Sequence, residues 1–348
     1  MNYFRVLLLI VALIGSAFGL TAGVFARPDK HTKKVSGPVV ERVVAADRNV
    51  TVSVCLVSGD IRVHGWDRNE VRARSNDVDA IEFRRPAGDR ESVPANEITV
   101  LLGDTTPHRP GPCSANADIE LDVPRGATVR LQTRDGDIQV VDVSTVSANA
   151  QSGDLDLEGV KRSVEAGTIG GDISLKNSTG TTKLHSVGGN IEAHGVGPAG
   201  SGDVFEASTV GGDITLEKTG FVQLKAKTVG GGLSLSGPLA AGGRYEFKTI
   251  SGDISLALPA DSSFRLDATL SRVGELVTEF PLRITTESAG PSSQSSRRSA
   301  AKGDSTIDPD VLIKGSGHGL QHISGVYGTG DALITASSFS GTINLRKK

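Results

Sequence analysis

One short pattern recurs along the chain: two small residues, an Asp, and then an apolar, a polar and an apolar residue. The clearest copies are Ser58–Val63, Asp135–Val140, Ser152–Leu157, Gly170–Leu175, Gly211–Leu216 and Ser251–Leu256, and weaker ones are Gly188–Ala193, Gly230–Leu235 and Ser340–Leu345. From Gly136 to Gly252, successive copies are 17 to 23 residues apart. Self-similarity at a short, nearly fixed period is the sequence signature of a solenoid.

Each copy predicts a turn followed by a short strand with one apolar face. One unit cannot bury that face alone, whereas stacked units can, with parallel strands about 4.8 Å apart. The pattern therefore places Ile173 between Leu155 and Ile191. The spacing is too short for crossover helices, and no helical periodicity lies between the copies, which excludes a βαβ fold.

A fainter strand signal lies between the copies, as in Thr182–His185 and Tyr245–Lys248. With 43 Gly and only 4% aromatic residues, the core must consist of stacked Val, Ile, Leu and Ala. We predict an all-β fold, a single-stranded parallel β-helix (β-solenoid) with an irregular β N-terminal cap. Right-handed coiling is the default for parallel crossovers. The pattern does not decide whether each rung contains two strands or three.

The domain organisation follows from these patterns. Residues 27–130 are less regular and are expected to form the cap, because an open solenoid end would expose unpaired backbone. Residues 131–348 carry the repeats. Within them, residues 287–305 are rich in Ser, Gly, Arg and Ala and predict a disordered insertion. The last strands, around Ala332–Ala336 and Thr342–Leu345, are expected to form the closing rung.

The amino-terminal residues 1–26 allow two interpretations. Val6–Phe25 carries no formal charge, and Ala26 is a plausible cleavage position for a secretory signal peptide. The segment is also long enough for an uncleaved membrane anchor. The basic residues that follow it favour a cytoplasmic body by the positive-inside rule. We favour export to the periplasm or cell surface, and keep anchoring through residues 6–25 as the alternative.

The chain has two cysteines, Cys55 and Cys113. In an oxidising compartment they could form one disulfide, and in a reducing one they would be two small buried residues. Two cysteines without a paired spacing do not make a zinc site. The net charge of −3 is spread without a basic stripe, which argues against nucleic-acid binding.

Glycine and aspartate recur at fixed positions of the repeat and form a turn column. Its members are Gly59, Asp60, Gly136, Asp137, Gly153, Asp154, Gly171, Asp172, Gly212, Asp213, Gly252 and Asp253. Stacked carboxylates could hold cations, but Asn190 and Gly232 replace the Asp in two copies, which a turn permits and a dedicated metal ladder does not. We interpret the column as structural and predict no metal, cofactor or catalytic residue.

The chain resembles the bacterial putative-adhesin family, a β-strand-repeat domain of unknown function. The similarity lies in SGDIRVHGWD at Ser58–Asp67, the GGDI copies from Gly170 to Leu256, and GTGDALITASSFSGTINL at Gly328–Leu345. It extends over nearly the whole chain after the apolar start. The resemblance implies a β-helix with an adhesion-like role and no known catalytic residues.

Three functions are compatible with these observations. We expect a non-catalytic, adhesin-like envelope protein whose polar repeat surface binds an envelope polymer or a surface protein. The first alternative is a membrane-tethered scaffold that self-associates. The second is a polysaccharide-active β-helix enzyme, which short turns and the scarcity of sugar-stacking aromatic residues disfavour.

Overall fold

The computed structural model describes residues 38–86, 93–103, 113, 115–271, 274–287, 305–306, 311–314 and 320–348, with backbone only for 284–287, 305–306 and 311–314. The chain divides into two units, Met1–Ser36 and Gly37–Lys348. The predicted signal peptide or anchor, residues 1–26, lies outside the described residues. Within the described ranges there is no helix of the length and apolarity that a membrane span needs.

All regular elements of the described residues are β-strands. The amino-terminal strands are β1 (Val40–Ser58), β2 (Ile61–Trp66), β3 (Glu70–Ser75), β4 (Ala80–Arg84), β5 (Ala95–Gly103), β6 (Ala115–Asn116) and β7 (Ile119–Pro124). The central strands are β8 (Thr128–Asp135), β9 (Ile138–Val141), β10 (Thr145–Ser152), β11 (Leu155–Glu158), β12 (Ser163–Thr168), β13 (Ile173–Lys176), β14 (Thr181–Ser186), β15 (Ile191–His194), β16 (Phe205–Ser208), β17 (Ile214–Glu217), β18 (Gln223–Lys227), β19 (Leu233–Ser236), β20 (Arg244–Thr249) and β21 (Ile254–Leu258). The carboxy-terminal strands are β22 (Phe264–Leu270), β23 (Glu275–Thr278), β24 (Arg283–Glu287), β25 (Ser305–Thr306), β26 (Val311–Lys314), β27 (Gln321–Tyr327), β28 (Ala332–Ser338) and β29 (Thr342–Lys347).

The central part is a parallel solenoid with two strands per rung. The strand of each Gly-Asp copy lies in one sheet, here called sheet A, in which β9, β11, β13, β15, β17, β19 and β21 pair in that order. The strand that precedes each copy lies in sheet B, which runs β8, β10, β12, β14, β16, β18 and β20. Both the predicted β-solenoid and the fainter second strand signal are confirmed.

The core consists of apolar columns between the two sheets. Ile173 pairs with Leu155 on one side and Ile191 on the other, as predicted. All three residues are at most 1% exposed. The equivalent position in every rung is also apolar and buried, because a period of two sends alternate side chains inward along each strand.

The amino-terminal strands enter the stack out of sequence order. β1 lies between β5 and β8 and is parallel to both, and β2 lies between β7 and β9. β3 pairs antiparallel with β1 and β7, and β4 pairs antiparallel with β5. The region predicted as an irregular cap thus contributes two parallel strand pairs to the stack and two antiparallel strands at its end.

The carboxy-terminal strands also enter the stack out of sequence order, at its other end. β28 lies between β20 and β22, and β29 lies between β21 and β23. The expectation that this segment closes the stack is therefore wrong. Its turn contains Gly341, which can stack on Gly252, whereas the turn between β22 and β23 lacks a Gly-Gly-Asp sequence.

Antiparallel strands lie beyond this inserted rung. β27 pairs with β22 and β24, and β26 pairs with β23. Glu287 and Ser305, the two ends of the predicted insertion, lie in β24 and β25. Residues 288–304 between them are outside the described residues, so disorder there stays a prediction.

Candidate functional site

The glycines of the turn column stack directly on one another. A Cβ atom built on Gly171 would overlap the carbonyl oxygen of Gly153, and one built on Gly189 would overlap that of Gly171. The same overlap recurs along the stack at Gly59, Gly136, Gly153, Gly212, Gly231, Gly252 and Gly341. Any side chain at this position would push the rungs apart, so the close backbone approach accounts for the glycine.

The aspartates of the turn column join each rung to the next. The backbone N–H of Asp172 donates to Oδ1 of Asp154 at 2.8 Å, and the N–H of Asn190 donates to Oδ1 of Asp172 at 2.6 Å. The same bond links Asp60 to Asp118, Asp137 to Asp60, Asp154 to Asp137, Asp213 to Asn190, Gly232 to Asp213 and Thr342 to Asp253. The column is a ladder of side chain to backbone hydrogen bonds.

The two exceptions in this column show what it requires. Asn190 accepts the N–H of Asp213 at 2.9 Å through its amide oxygen, which shows that no negative charge is needed. Gly232 donates to Asp213 and has no side chain to accept a bond from the following rung. Among the described residues, no group of His, Cys, Asp and Glu side chains is arranged to hold a metal ion.

A column of buried hydroxyl groups, absent from the sequence predictions, closes the same corner. Thr168 donates to the carbonyl of Gly153 at 3.1 Å and accepts the N–H of Gly171 at 3.2 Å. Equivalent hydroxyls that donate to a turn glycine carbonyl belong to Thr133, Ser186, Thr209, Thr228, Thr249 and Ser338. The signal was present in the sequence as a Ser or Thr three residues before the turn glycine.

The two cysteines lie at the amino-terminal end of the stack. Cys55 of β1 and Cys113 form a disulfide, with 4.6 Å between their Cα atoms. The bond spans 58 residues of sequence and ties β1 to the segment just before β6. Closing a loop of this length restricts the unfolded chain and contributes about 4 kcal/mol in the chain-entropy account.

The outer face of sheet B carries the most concentrated set of charged side chains on the central rungs. Glu206, Lys225 and Glu246 occupy the same register position on β16, β18 and β20. Lys227 and Lys248 form the neighbouring column. A groove of about 520 Å³ crosses these strands and reaches β28; its polar lining includes Glu206, Gln223, Lys225, Arg244, Glu246 and Lys248. We call this the sheet B groove.

Ion pairs organise the sheet B groove. Nζ of Lys225 lies 3.0 Å from Oε1 of Glu206, and the hydrogen bond between them raises the pKa of Lys225. Nζ of Lys248 lies 2.6 Å from Oε1 of Glu246, and that bond lowers the pKa of Glu246. Lys227 approaches the same carboxylate oxygen at 3.5 Å. Lys225 and Glu246 are therefore charged at neutral pH.

These charges leave the sheet B groove cationic. Its two carboxylates, Glu206 and Glu246, face three lining cations, Lys225, Arg244 and Lys248. Lys227 lies beside the groove, 3.5 Å from Glu246. Arg244 is exposed at the start of β20. The sequence predicts a polar repeat surface but not which sheet carries the charges, because the register between residues 19 and 21 positions apart decides which side chains meet.

Residues 51–308 match the sequence profile of the family described as Toastrack DUF4097. The chain belongs to the Toastrack DUF4097 family. The match covers more than half of the chain and confirms the resemblance to the putative-adhesin family of unknown function. No curated protein matches this Toastrack chain.

Solved structures similar to this Toastrack protein are distant in sequence. A putative cell adhesion protein from Clostridium sporogenes shares 9% identity, with 89% of this chain and 100% of that chain covered and a TM-score of 0.25. A putative adhesin from Parabacteroides merdae shares 10% identity, with 65% and 92% covered and a TM-score of 0.37.

A substitution within the aspartate ladder tests its role. Asp172→Asn should leave the free energy of unfolding almost unchanged, because Asn190 already makes the same bond in the next rung. Asp172→Ala should lower it by about 1 kcal/mol, the usual net value of one hydrogen bond. Chemical denaturation of the three proteins measures both. A loss for Asp172→Asn as large as for Asp172→Ala would show that the carboxylate charge matters.

Proposed function

We propose that this protein is a non-catalytic, adhesin-like solenoid of the cell envelope, and that the sheet B groove binds an acidic polymer. The observation that carries the proposal is the surplus of cations in the groove, three against two carboxylates, with Lys227 beside it. Each rung adds its side chains about 4.8 Å further along the stack, so a linear polymer can contact several rungs at once.

The charges of the groove favour a polyanion over a neutral polymer. Lys227 and Lys248 share the single carboxylate of Glu246, so their combined charge is only partly neutralised. A polyanion releases counterions when such cations bind it, and this makes the affinity dependent on salt. Attraction of this kind also accelerates the encounter of the two partners.

The same groove supports a binding role over catalysis. A glycoside hydrolase needs a carboxylic acid with a raised pKa to protonate the leaving group. The pKa of Glu246 is lowered by its bond to Lys248. The only tryptophan, Trp66, packs against the guanidinium groups of Arg68 and Arg72, at 5.0 and 4.9 Å from the ring centroid. It is thus occupied by intramolecular contacts.

An exported location is part of the proposal. A Cys55–Cys113 disulfide is stable in an oxidising compartment and is rare in the cytosol. The apolar segment Val6–Phe25 is suited to a signal peptide that is removed on export. The tethered scaffold would instead retain that segment and, facing the cytoplasm, would have reduced cysteines.

Polymer binding can be measured with dextran sulfate and with uncharged dextran of the same length. We expect dextran sulfate to bind at low salt, to weaken as salt is raised, and to bind roughly three- to tenfold more weakly to Arg244→Glu, in line with the modest energy of exposed charge pairs. Uncharged dextran should not bind.

Lys176→Glu is the matched control, because Lys176 is also exposed but lies on sheet A. It should retain the wild-type affinity. Equal losses for the two variants would show non-specific attraction to the whole surface. Equal binding of uncharged dextran would contradict the electrostatic basis of the proposal.

Cell fractionation followed by intact mass measurement tests the location. We expect a chain that begins at Arg27 and gains the mass of two hydrogen atoms when a thiol reductant reduces the disulfide. A full-length, already reduced chain in the membrane fraction would contradict export and favour the tethered scaffold. The dextran sulfate measurement is independent of this result.

A further inference from the structure

A row of exposed apolar side chains follows the corner where sheet B turns into sheet A. Each of six successive rungs places one such residue immediately after its buried hydroxyl. These residues form what we call the apolar ridge: Ile169, Val187, Val210, Val229, Ile250 and Phe339. Their exposure ranges from 38% for Val187 to 59% for Phe339.

The turn itself does not require an apolar residue at this position. Arg134 and Gln151 occupy it in the two preceding rungs, on β8 and β10. Both rungs have the same stacked glycine and the same aspartate ladder as the rungs of the ridge. The apolar side chains are therefore a property of one surface region and not of the turn.

The ridge is held rigid by the backbone. The carbonyl of Ile169 accepts the N–H of Gly188 at 2.8 Å, and that of Val210 accepts the N–H of Gly230 at 2.8 Å. The same bond joins Val187 to Gly211, Val229 to Ser251 and Ile250 to Ser340. The six side chains thus stand about 4.8 Å apart in a row of about 24 Å. A preorganised surface loses little conformational entropy when a partner docks.

Charges of opposite sign border the two sides of the ridge. On the sheet B side, Lys227 and Lys248 lie two residues before Val229 and Ile250. On the sheet A side, the exposed residues Asp213 and Asp253 lie directly before β17 and β21. An object with an apolar row of the same period, a cationic flank and an anionic flank would match this surface.

A second copy of the same chain is such an object. We propose that two copies associate through the apolar ridge, with a two-fold axis parallel to it. This axis places the lysine flank of each protomer against the aspartate flank of its partner, and ridge against ridge at a common period. A two-fold axis across the ridge would instead place lysine against lysine. An isologous interface of this kind is the commonest in homo-oligomers.

The size of the surface fits this assignment. The exposed parts of the six residues amount to on the order of 500 Å² of surface, comparable to the largest apolar patch on a typical monomer, which is often functional. A standard interface buries roughly 800 Å² on each partner, and the charged flanks would supply the remainder. A groove of about 400 Å³ between Val229, Ile250, Leu320 and Phe339 adds concave apolar surface at one end of the ridge.

Sedimentation velocity of the purified full chain between about 1 and 100 μM tests the association. We expect a dimer, and at least a tenfold rise of its dissociation constant for Val229→Gln combined with Ile250→Gln. The variant should fold, because Gln151 occupies the same turn position, and circular dichroism checks this. Val222→Gln is the control, since Val222 is 41% exposed and lies off the ridge.

A wild-type protein that stays monomeric at 100 μM would overturn the proposal, as would a dimer that the double variant leaves intact. Loss of flotation with anionic phosphatidylglycerol vesicles in the double variant, with no dimer in the wild type, would assign the ridge to a membrane surface.

Single cysteines test the direction of the axis. With the axis along the ridge, Val187→Cys and Ile250→Cys each meet their own counterpart in the partner and should both cross-link on mild oxidation. With the axis across the ridge, at most one position can meet itself. Cross-linking of only one variant would therefore overturn the parallel arrangement.

Discussion

The structure depends on how closely the backbone of one rung can approach that of the next at the Gly-Asp turn. Each turn glycine lies against a backbone carbonyl group one rung away, as Gly189 does on Gly171, with no room for a Cβ atom. At this corner the aspartate side chains accept hydrogen bonds from backbone N–H groups, and the buried hydroxyls donate hydrogen bonds to backbone carbonyl groups. Because the turn sets the rung spacing, it also sets the register in which Leu155, Ile173 and Ile191 stack in the core.

The first two and the last two strands of the described residues are inserted into the stack instead of extending it. β1 and β2 lie between strands that follow them in sequence, and β28 and β29 lie between strands that precede them. Antiparallel strands such as β3 and β27 then lie beyond the parallel rungs. Long-range pairings of this kind form slowly, because loop closure must precede the contacts that stabilise it.

Much of the fold could be predicted from the sequence, because the turn imposes local requirements that appear as residues. Gly and Asp at fixed positions predicted the rungs, and alternation at Ile173 predicted which side chains are buried. The order in which the rungs stack could not be predicted, because rungs that are neighbours in space can be far apart in sequence. Thr342 donates its N–H to Asp253, which lies 89 positions earlier. The sheet B groove and the apolar ridge also escaped prediction. Each depends on which of several exposed positions align between rungs, and alignment is a property of the stack and not of one repeat.

Two adjacent glycines allow the most direct test of this account. Gly189 belongs to the stacked column, whereas a Cβ atom on Gly188 would lie 3.4 Å from the carbonyl oxygen of Ile169, an ordinary contact. Chemical denaturation should show that Gly188→Ala changes the free energy of unfolding by less than about 1 kcal/mol. Gly189→Ala should lower it by about 3 kcal/mol or more, because backbone atoms cannot move aside as side chains do. Equal effects of the two substitutions would contradict the claim that backbone contact at the turn holds the rungs together.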